Sequence, residues 1–216
     1  MIAPDRRYLA EFLGTAALLA AVVGSGIMGA ALAAGNDAVA LMANAAATAA
    51  ILYVLIVLLA PVSGAHLNPV VTLALRLEQK IKTGEALGYV AAQLAGAVAG
   101  VLLAHAMFDL PVWQAGVRER TGAAQWLSEA VATFGLVLVI LVGMRTRKAS
   151  VATLVASYIF AAYWFTASTS FANPAVTLAR SLTTSFPGIR PADVAAFVAA
   201  QGAGAIGGWA VARIFR

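Results

Sequence analysis

Apolar runs of more than eighteen residues recur along this chain, and each is long enough for an α-helix to cross a bilayer. Hydrophobic residues make up 62% of the sequence and charged residues 11%, whereas a soluble domain has roughly 45–50% and 25%. The continuous runs also differ from the alternating ten-residue segments of an outer-membrane barrel. The sequence therefore predicts an all-α membrane protein embedded in a lipid bilayer.

Six apolar runs, most of them longer than eighteen residues, are predicted to cross the membrane. They cover residues 8–33, 38–60, 86–107, 123–144, 150–166 and 192–214. With both termini in the cytoplasm, most basic residues lie inside, as the positive-inside rule requires: Arg6, Arg7, Arg76, Lys80, Lys82, Arg145, Arg147, Lys148, Arg213 and Arg216. The outer segments hold Arg118, Arg120, Arg180 and Arg190. Because the basic residues lie between apolar spans rather than on one face, the net charge of +5 does not predict a nucleic-acid partner.

Two further stretches, SGAHLNPVVTLALRL and STSFANPAVTLARSL, are too short to cross. A helix over residues 68–77 or 173–182 covers about half of a ~30 Å hydrocarbon core, and the first stretch requires a break within residues 61–67. Asn is a favoured N-cap and Pro a favoured first helical residue. One Asn-Pro pair alone is equally typical of a turn. Two copies predict two re-entrant half-helices that begin at Asn68 and Asn173.

The two halves of the chain are copies of each other. NPVVTLAL and NPAVTLAR agree at six of eight positions, and AAQLAGAVAG and AAQGAGAIGG at seven of ten. We predict a single domain over residues 1–216 with repeats at about 1–110 and 118–216. Three spans in each half invert the second half relative to the first and bring Asn68 and Asn173 together at the midplane. Two helix N-termini that meet there carry partial positive charge and should repel cations.

The duplicated boxes, the glutamate in the first span of each half and the segment SGAHLNPVVT resemble the aquaporin and aquaglyceroporin family of major intrinsic proteins. The resemblance covers essentially the whole chain. It implies a homotetramer with one pore per subunit. It also implies that the pore junction is formed by Asn68, Pro69, Val70, Asn173, Pro174 and Ala175. Val70 stands where most members have Ala and adds bulk.

The resemblance assigns further roles near the boxes. It places His66 in the cytoplasmic half of the pore, where a neutral, hydrogen-bonded ring is favoured over a pH gate. It implies that Glu11 and Glu129 accept hydrogen bonds from the re-entrant backbone, with a proton relay as the alternative. Both glutamates are costly within a membrane, by roughly 2.5–3.5 kcal/mol.

The selectivity filter is where the sequence departs from the family. Most members follow the second box with Arg, whereas this chain has Val176. Spacing from the boxes places Thr48, Ala161 and Ser170 beside it. All of these residues are small, which predicts a wide, uncharged constriction. A bacterial branch with Val at this position is similar to this sequence and is associated with uncharged arsenic compounds.

We therefore predict a passive channel for small neutral solutes in the inner membrane of a bacterium. Metalloid hydroxides such as arsenous acid are the leading substrates, with glycerol and water as candidate co-substrates. The alternative is an ion-coupled secondary transporter of a small polar solute, which also uses inverted repeats and broken helices. A closed scaffold and an intramembrane enzyme remain less favoured, since no nucleophile, base and metal constellation is present. With no Cys and two His, no metal site or cofactor is predicted.

Overall fold

The computed structural model describes residues 3–215, without the side chain of Lys148. Residues 1, 2 and 216, which end the predicted repeats, lie outside the described residues. Arg216 and the Lys148 side chain, which belong to the basic residues predicted to face the cytoplasm, are also not among the described parts of the chain. All regular secondary structure within the described residues is helical. The α-helices are α1 (Pro4–Leu32), α2 (Asp37–Ser63), α3 (Pro69–Leu77), α4 (Thr83–Met107), α5 (Ala123–Thr146), α6 (Val151–Phe165), α7 (Pro174–Arg180) and α8 (Val194–Ala212).

The helices match the six predicted spans and two half-helices. Among the described residues, α1, α2, α4, α5 and the segment around α8 (Pro191–Phe215) are long and apolar enough to cross a membrane. The fifth predicted span, α6, is apolar but has only 15 residues, about 22 Å of helix. The half-helices α3 and α7 have 9 and 7 residues. The predicted all-α fold class is therefore confirmed.

Two predicted boundaries differ from the structure. Pro61 lies inside α2, which continues to Ser63 and ends where Gly64 adopts a left-handed φ of 89° and donates its N–H to Ala60. A left-handed C-cap stops a helix more effectively here than a proline in its last turn. The half-helix α7 ends at Arg180 rather than at residue 182.

The repeats are visible in how their helices pack. A Cβ atom on Gly96 of α4 would meet the carbonyl oxygen of Phe12 in α1, and one on Gly204 of α8 would meet that of Ala130 in α5. Such contacts require glycine because the backbones of the paired helices touch directly. The same close approach therefore joins α1 to α4 and α5 to α8.

The half-helices run toward opposite ends of the bundle. After α3, Glu78 forms an ion pair of 2.9 Å with Arg145 at the C-terminal end of α5. After α7, Ser181 accepts a 2.7 Å hydrogen bond from the N–H of Gly116, in the loop that precedes α5. Since α5 has 24 residues, about 36 Å of helix, these two ends are separated by the length of the bundle. This arrangement is the inverted repeat that the odd number of spans predicts.

Candidate pore

The two Asn-Pro boxes meet through reciprocal hydrogen bonds. Asn68 donates from Nδ2 to the carbonyl of Ala172, and Asn173 donates from Nδ2 to the carbonyl of Leu67, both at 2.8 Å. Each box thus holds the non-helical segment that leads into the other. An amide Nδ2 carries two hydrogens, so each asparagine keeps one donor beyond the bond it makes.

The same asparagines cap the half-helices. Oδ1 of Asn68 accepts from the N–H of Val70, and Oδ1 of Asn173 accepts from the N–H of Ala175, both at 3.0 Å. The first helical residue of each half-helix is a proline, which has no N–H to satisfy. Two capped helix N-termini therefore share one point, where their partial positive charges add.

Glu11 supports the segment before the first box. Its Oε1 accepts from the Ser63 hydroxyl at 2.6 Å and from the His66 N–H at 2.9 Å. Its Oε2 accepts from the Leu67 N–H and from Gln93 Nε2, both at 2.7 Å. The carboxylate, 0% exposed, therefore satisfies two backbone amides that no helix satisfies.

Glu129 repeats this arrangement in the second half. Its Oε1 accepts from the Ser168 hydroxyl at 2.5 Å and from the Phe171 N–H at 2.9 Å. Its Oε2 accepts from the Ala172 N–H at 2.9 Å and from Gln201 Nε2 at 2.5 Å. Four donors surround each buried glutamate, so both carboxylates act as anchors for the backbone beside the junction.

Backbone strain explains why such anchors are needed. The non-helical segments contain left-handed residues at matching positions: Ala65 and Leu67 in the first half, Ser170 and Ala172 in the second, with φ between 47° and 50°. Each costs a residue other than glycine about 1–2 kcal/mol. The glutamate hydrogen bonds hold the segments in this conformation.

A cavity of about 580 Å³ passes the junction. Asn68 and Asn173 both line it, with Lys80 among the residues at one end and Arg180 among those at the other. We name these the Lys80 end and the Arg180 end. Apolar side chains form most of the wall, and the asparagines supply polar atoms midway.

His66 lines the cavity on the first-box side of the junction. Its Nδ1 lies 3.0 Å from Thr72 Oγ1, and its ring packs against Tyr89 with centroids 4.9 Å apart. Tyr89 in turn donates to the carbonyl of Ser63 at 2.7 Å. The imidazole is thus held in one orientation by both a hydrogen bond and an aromatic neighbour.

Three of the four residues assigned to the filter line the Arg180 end: Thr48, Ser170 and Val176. The fourth does not. Ala161 is exposed on the outside of the helix and is absent from the cavity wall. Tyr163 takes its place, lining the cavity and donating to Thr48 Oγ1 at 3.2 Å.

The error has a simple cause. Two residues along a helix rotate a side chain by about 200°, so Ala161 and Tyr163 face opposite sides of α6. No box lies on α6 to fix its rotation, and a residue chosen by counting from the boxes can therefore face the wrong way. Tyr163 is also larger than Ala161 and adds a hydroxyl group to the cavity wall.

A second correction concerns charge. The Arg180 end was expected to be uncharged, but Arg180 lines it. Arg180 lies four residues after Val176 and therefore on the same face of α7. Its position matches Leu75 in the first half when the two boxes are aligned, and that alignment is the signal by which the sequence could have singled it out.

Comparison with known proteins agrees with this geometry. Residues 2–170 match the model of the family described as major intrinsic protein. The chain belongs to the major intrinsic protein family. As a member of that family, the chain is a membrane channel for small solutes. The matched range includes the first box and ends three residues before Asn173 of the second.

Individual relatives extend the comparison. An aquaglyceroporin, AqpS of Rhizobium meliloti (strain 1021), is 58% identical over 201 residues, which cover 93% of this chain and 86% of that protein. A probable aquaporin, TIP5-1 of Oryza sativa subsp. japonica, is 33% identical over 73% of this chain and 62% of that protein. The solved aquaglyceroporin of Plasmodium falciparum aligns with a TM-score of 0.75 over 99% of this chain and 96% of that one. At 21% identity this last likeness concerns the fold alone.

Proposed function

We propose that this major intrinsic protein passively conducts small uncharged, hydroxyl-rich solutes through the cavity that passes Asn68 and Asn173. Metalloid hydroxides such as arsenous acid are the leading substrates, and glycerol and water are co-substrates. The observation that carries the proposal is that Val176 lines the cavity, on the same face of α7 as Arg180. The family resemblance implies that most members have an arginine at the position of Val176.

The walls of this cavity suit such solutes. Thr48, Tyr163 and Ser170 contribute residues with hydroxyl groups to the wall, and Val176 contributes an apolar side chain. The Ser170 hydroxyl is buried and makes no hydrogen bond to any described residue. An amphipathic wall of this kind fits a solute that has both hydroxyl groups and weakly polar surface.

The contacts of the buried glutamates favour a channel over an ion-coupled transporter. Glu11 and Glu129 each accept four hydrogen bonds from the surrounding protein. A proton relay needs a carboxylate that can exchange its partners during transport. Since these bonds hold strained backbone, their loss would disturb the junction itself.

The resemblance also supports a homotetramer in the inner membrane of a bacterium, with both termini in the cytoplasm. In this orientation the Lys80 end of the cavity faces the cytoplasm. The Arg180 end, beside the loop that carries Arg118 and Arg120, faces outward. In this tetramer, the helix pairs α1/α4 and α5/α8 surround one pore in each subunit.

Solute flux in reconstituted vesicles tests the proposal. Proteoliposomes are mixed in a stopped-flow instrument with a hyperosmotic solution of either an impermeant or a permeant solute. Light scattering reports the volume of the vesicles. We expect fast re-swelling with glycerol and with uncharged arsenous acid, without any ion gradient and unchanged by a protonophore. Vesicles with the same lipid and no protein provide the baseline.

Three results would contradict the proposal. Solute flux that appears only with an imposed ion or proton gradient would favour the transporter. Water flux without any solute flux would show that the constriction is narrower than we propose. An absence of both fluxes in folded protein would favour a closed scaffold.

A further inference from the structure

The Arg180 end of the cavity contains a buried cation that the fold does not require. Arg180 is 1% exposed, and its counterpart in the first half is Leu75, which is also buried and lines the cavity. The two half-helices fold alike although one has an apolar side chain at this position and the other a guanidinium. Burying a charge is costly unless it is paired, and Leu75 shows that a half-helix of this kind forms without one.

The guanidinium is only partly satisfied by the protein. Its Nε donates to the carbonyl of Pro187, and its plane lies over the ring of Phe171, with Cζ 3.3 Å from the ring centroid. Its other two nitrogens donate to none of the described residues, and none of the described carboxylates forms a salt bridge with it. Arg180 therefore retains donors and a positive charge beside the cavity.

A second buried cation strengthens the field at this end. Arg120 packs against the same Phe171 ring, with Cζ 4.8 Å from the centroid, and donates to the carbonyls of Ser168 and Gly188. The pKa of Arg120 is lowered to about 9, mainly by burial and then by the positive charge of Arg180. Two guanidinium groups thus flank one aromatic ring, and backbone carbonyls rather than carboxylates accept their hydrogen bonds.

A second polar group without a protein partner belongs to Ser170, which lines the same cavity as Arg180. Ser170 is 3% exposed and its hydroxyl has no partner among the described residues, although it lines the same cavity as Arg180. A hydroxyl can donate to an anion that a guanidinium holds. The terminal nitrogens of Arg180 and the Ser170 hydroxyl thus have no hydrogen-bond partner among the described residues, and both residues line the same cavity.

We propose that Arg180 and Ser170 form a binding site for a small oxyanion at the Arg180 end of the pore. The guanidinium holds two oxygens of the anion with its terminal nitrogens, as arginine does with carboxylate and phosphate groups. The Ser170 hydroxyl donates a hydrogen bond to a third oxygen of the anion. The anion replaces the missing carboxylate partner, and Phe171 keeps the guanidinium plane fixed.

This site makes the pore sensitive to oxyanions, and a measurement of neutral-solute flux alone does not reveal that sensitivity. An oxyanion at the Arg180 end either blocks the constriction or enters it, and in both cases it competes with neutral solutes. Binding itself does not depend on conduction, whereas the competition rests on the proposed channel function. The two ideas can therefore fail separately.

Thermal unfolding of the full-length protein in detergent measures binding directly. Inorganic phosphate is the probe, and sodium chloride at the same ionic strength is the reference. We expect phosphate to raise Tm saturably, by roughly 3–6 °C at a tenfold excess over its Kd. Chloride should give no comparable rise.

Matched variants locate the site. Arg180→Leu, which copies the residue of the first half, should abolish the phosphate-specific rise in Tm. Ser170→Ala, which removes a hydroxyl without a protein partner, should keep the fold and weaken phosphate binding several-fold. Arg118→Leu makes the same chemical change at an exposed arginine that lies in the same loop as Arg120, and should bind phosphate like the wild type.

Three outcomes would overturn the proposal. The wild type could show no phosphate-specific rise in Tm, or Arg180→Leu and Ser170→Ala could keep the wild-type Kd. Loss of the rise in Arg118→Leu would place the anion on the protein surface, as an adventitious ion only. If Arg180→Leu does not fold, Ser170→Ala and Arg118→Leu still decide between these results. Phosphate binding in a protein that conducts no solute would leave this site intact and refute the proposed channel.

Discussion

The two ends of the cavity are built from matched sequences, and they differ at only a few side chains. Near the junction the halves are equivalent, because Asn68 and Asn173 exchange hydrogen bonds and each half has a buried glutamate as its anchor. Farther out, the first half has His66 and Leu75 where the second has Phe171 and Arg180. The two halves thus have equivalent residues at the junction and different residues toward the two ends of the cavity.

This difference separates what the fold needs from what the solute meets. Features repeated in both halves, such as the glutamate anchors and the left-handed residues, hold strained backbone in place. Features present in one half only are free to set selectivity, because the other half shows that the fold forms without them. Mutations at repeated positions should therefore reduce stability, and mutations at unmatched positions should alter the choice of solute.

The largest effect is expected at the anchors. Glu11→Leu or Glu129→Leu leaves four buried donors without an acceptor, at roughly 1–3 kcal/mol for each donor that finds no substitute. We expect both variants to lose most of their folded yield and to lower Tm by similar amounts, since the two networks match. Expression level and thermal unfolding in detergent measure this.

Glu85→Leu is the matched control for the anchors. It removes a glutamate whose ion pair with Arg7 is partly exposed, and such pairs contribute about 0–1 kcal/mol. Its yield should stay near that of the wild type. If either anchor variant folds normally and loses only a proton-driven flux, the glutamate is a relay and the comparison between the halves is wrong.

An intermediate effect is expected at the asparagines. Asn68→Asp or Asn173→Asp replaces the Nδ2 donor by a second carboxylate oxygen, which faces a backbone carbonyl at the junction. The added negative charge also offsets the positive ends of both half-helices. We expect reduced water and glycerol flux, or a leak of cations, in stopped-flow and ion-flux measurements on vesicles.

Asn36→Asp tests whether the location matters. Asn36 caps α2 at an exposed position, where Asp is an equally good N-cap. This variant should conduct like the wild type. Wild-type flux and intact cation exclusion in both junction variants would show that the solute does not pass between the asparagines.

The smallest effect is expected where the boxes differ slightly. Val70→Ala makes the first box identical to the second, and Val70 is only 4% exposed. Removing two methyl groups from a buried side chain costs roughly 1–3 kcal/mol. We expect a modest fall in Tm and solute flux within a factor of about two, because side chains at this position do not form the constriction. A changed order of solute preference would give Val70 a role in selection.

The sequence predicted the parts of the fold that are repeated or extended. Six apolar runs and two Asn-Pro boxes were sufficient for the spans, the half-helices and the inverted halves, because bilayer thickness and helix rise leave few alternatives. Helix ends were predicted less well. The break predicted within residues 61–67 is present at the left-handed Gly64, but α2 continues to Ser63, three residues beyond the predicted end of the span at residue 60.

Side chains at the constriction were harder to predict. Thr48, Ser170 and Val176 line the cavity, but Ala161 faces outward and Tyr163 faces inward. The rotation of α6 depends on packing against neighbouring helices, which no local pattern records.

Arg180 was overlooked for a different reason. It was counted among the basic residues of an outer segment, although the half-helix predicted over residues 173–182 includes it. Helical spacing from Val176 and alignment with Leu75 place it in the cavity wall.

The central claim is that the Val176 position sets the width of the pore, and Val176→Arg tests it most directly. A guanidinium beside Thr48, Tyr163 and Ser170 should narrow the constriction and raise the barrier for larger solutes. An added barrier of about 1.4 kcal/mol gives a tenfold loss of rate. Val176→Leu, which adds bulk without charge, is the control, and flux is normalised to folded protein because an intramembrane arginine can impair insertion.

The decisive measurement is the ratio of glycerol flux to water flux in proteoliposomes of the wild type and Val176→Arg. We predict that the ratio falls by roughly tenfold or more in Val176→Arg, with water flux much less affected, and that Val176→Leu lies between the two. A variant that inserts normally and keeps the wild-type ratio would show that Val176 does not line the constriction. The wide-filter account of solute selection would then be wrong.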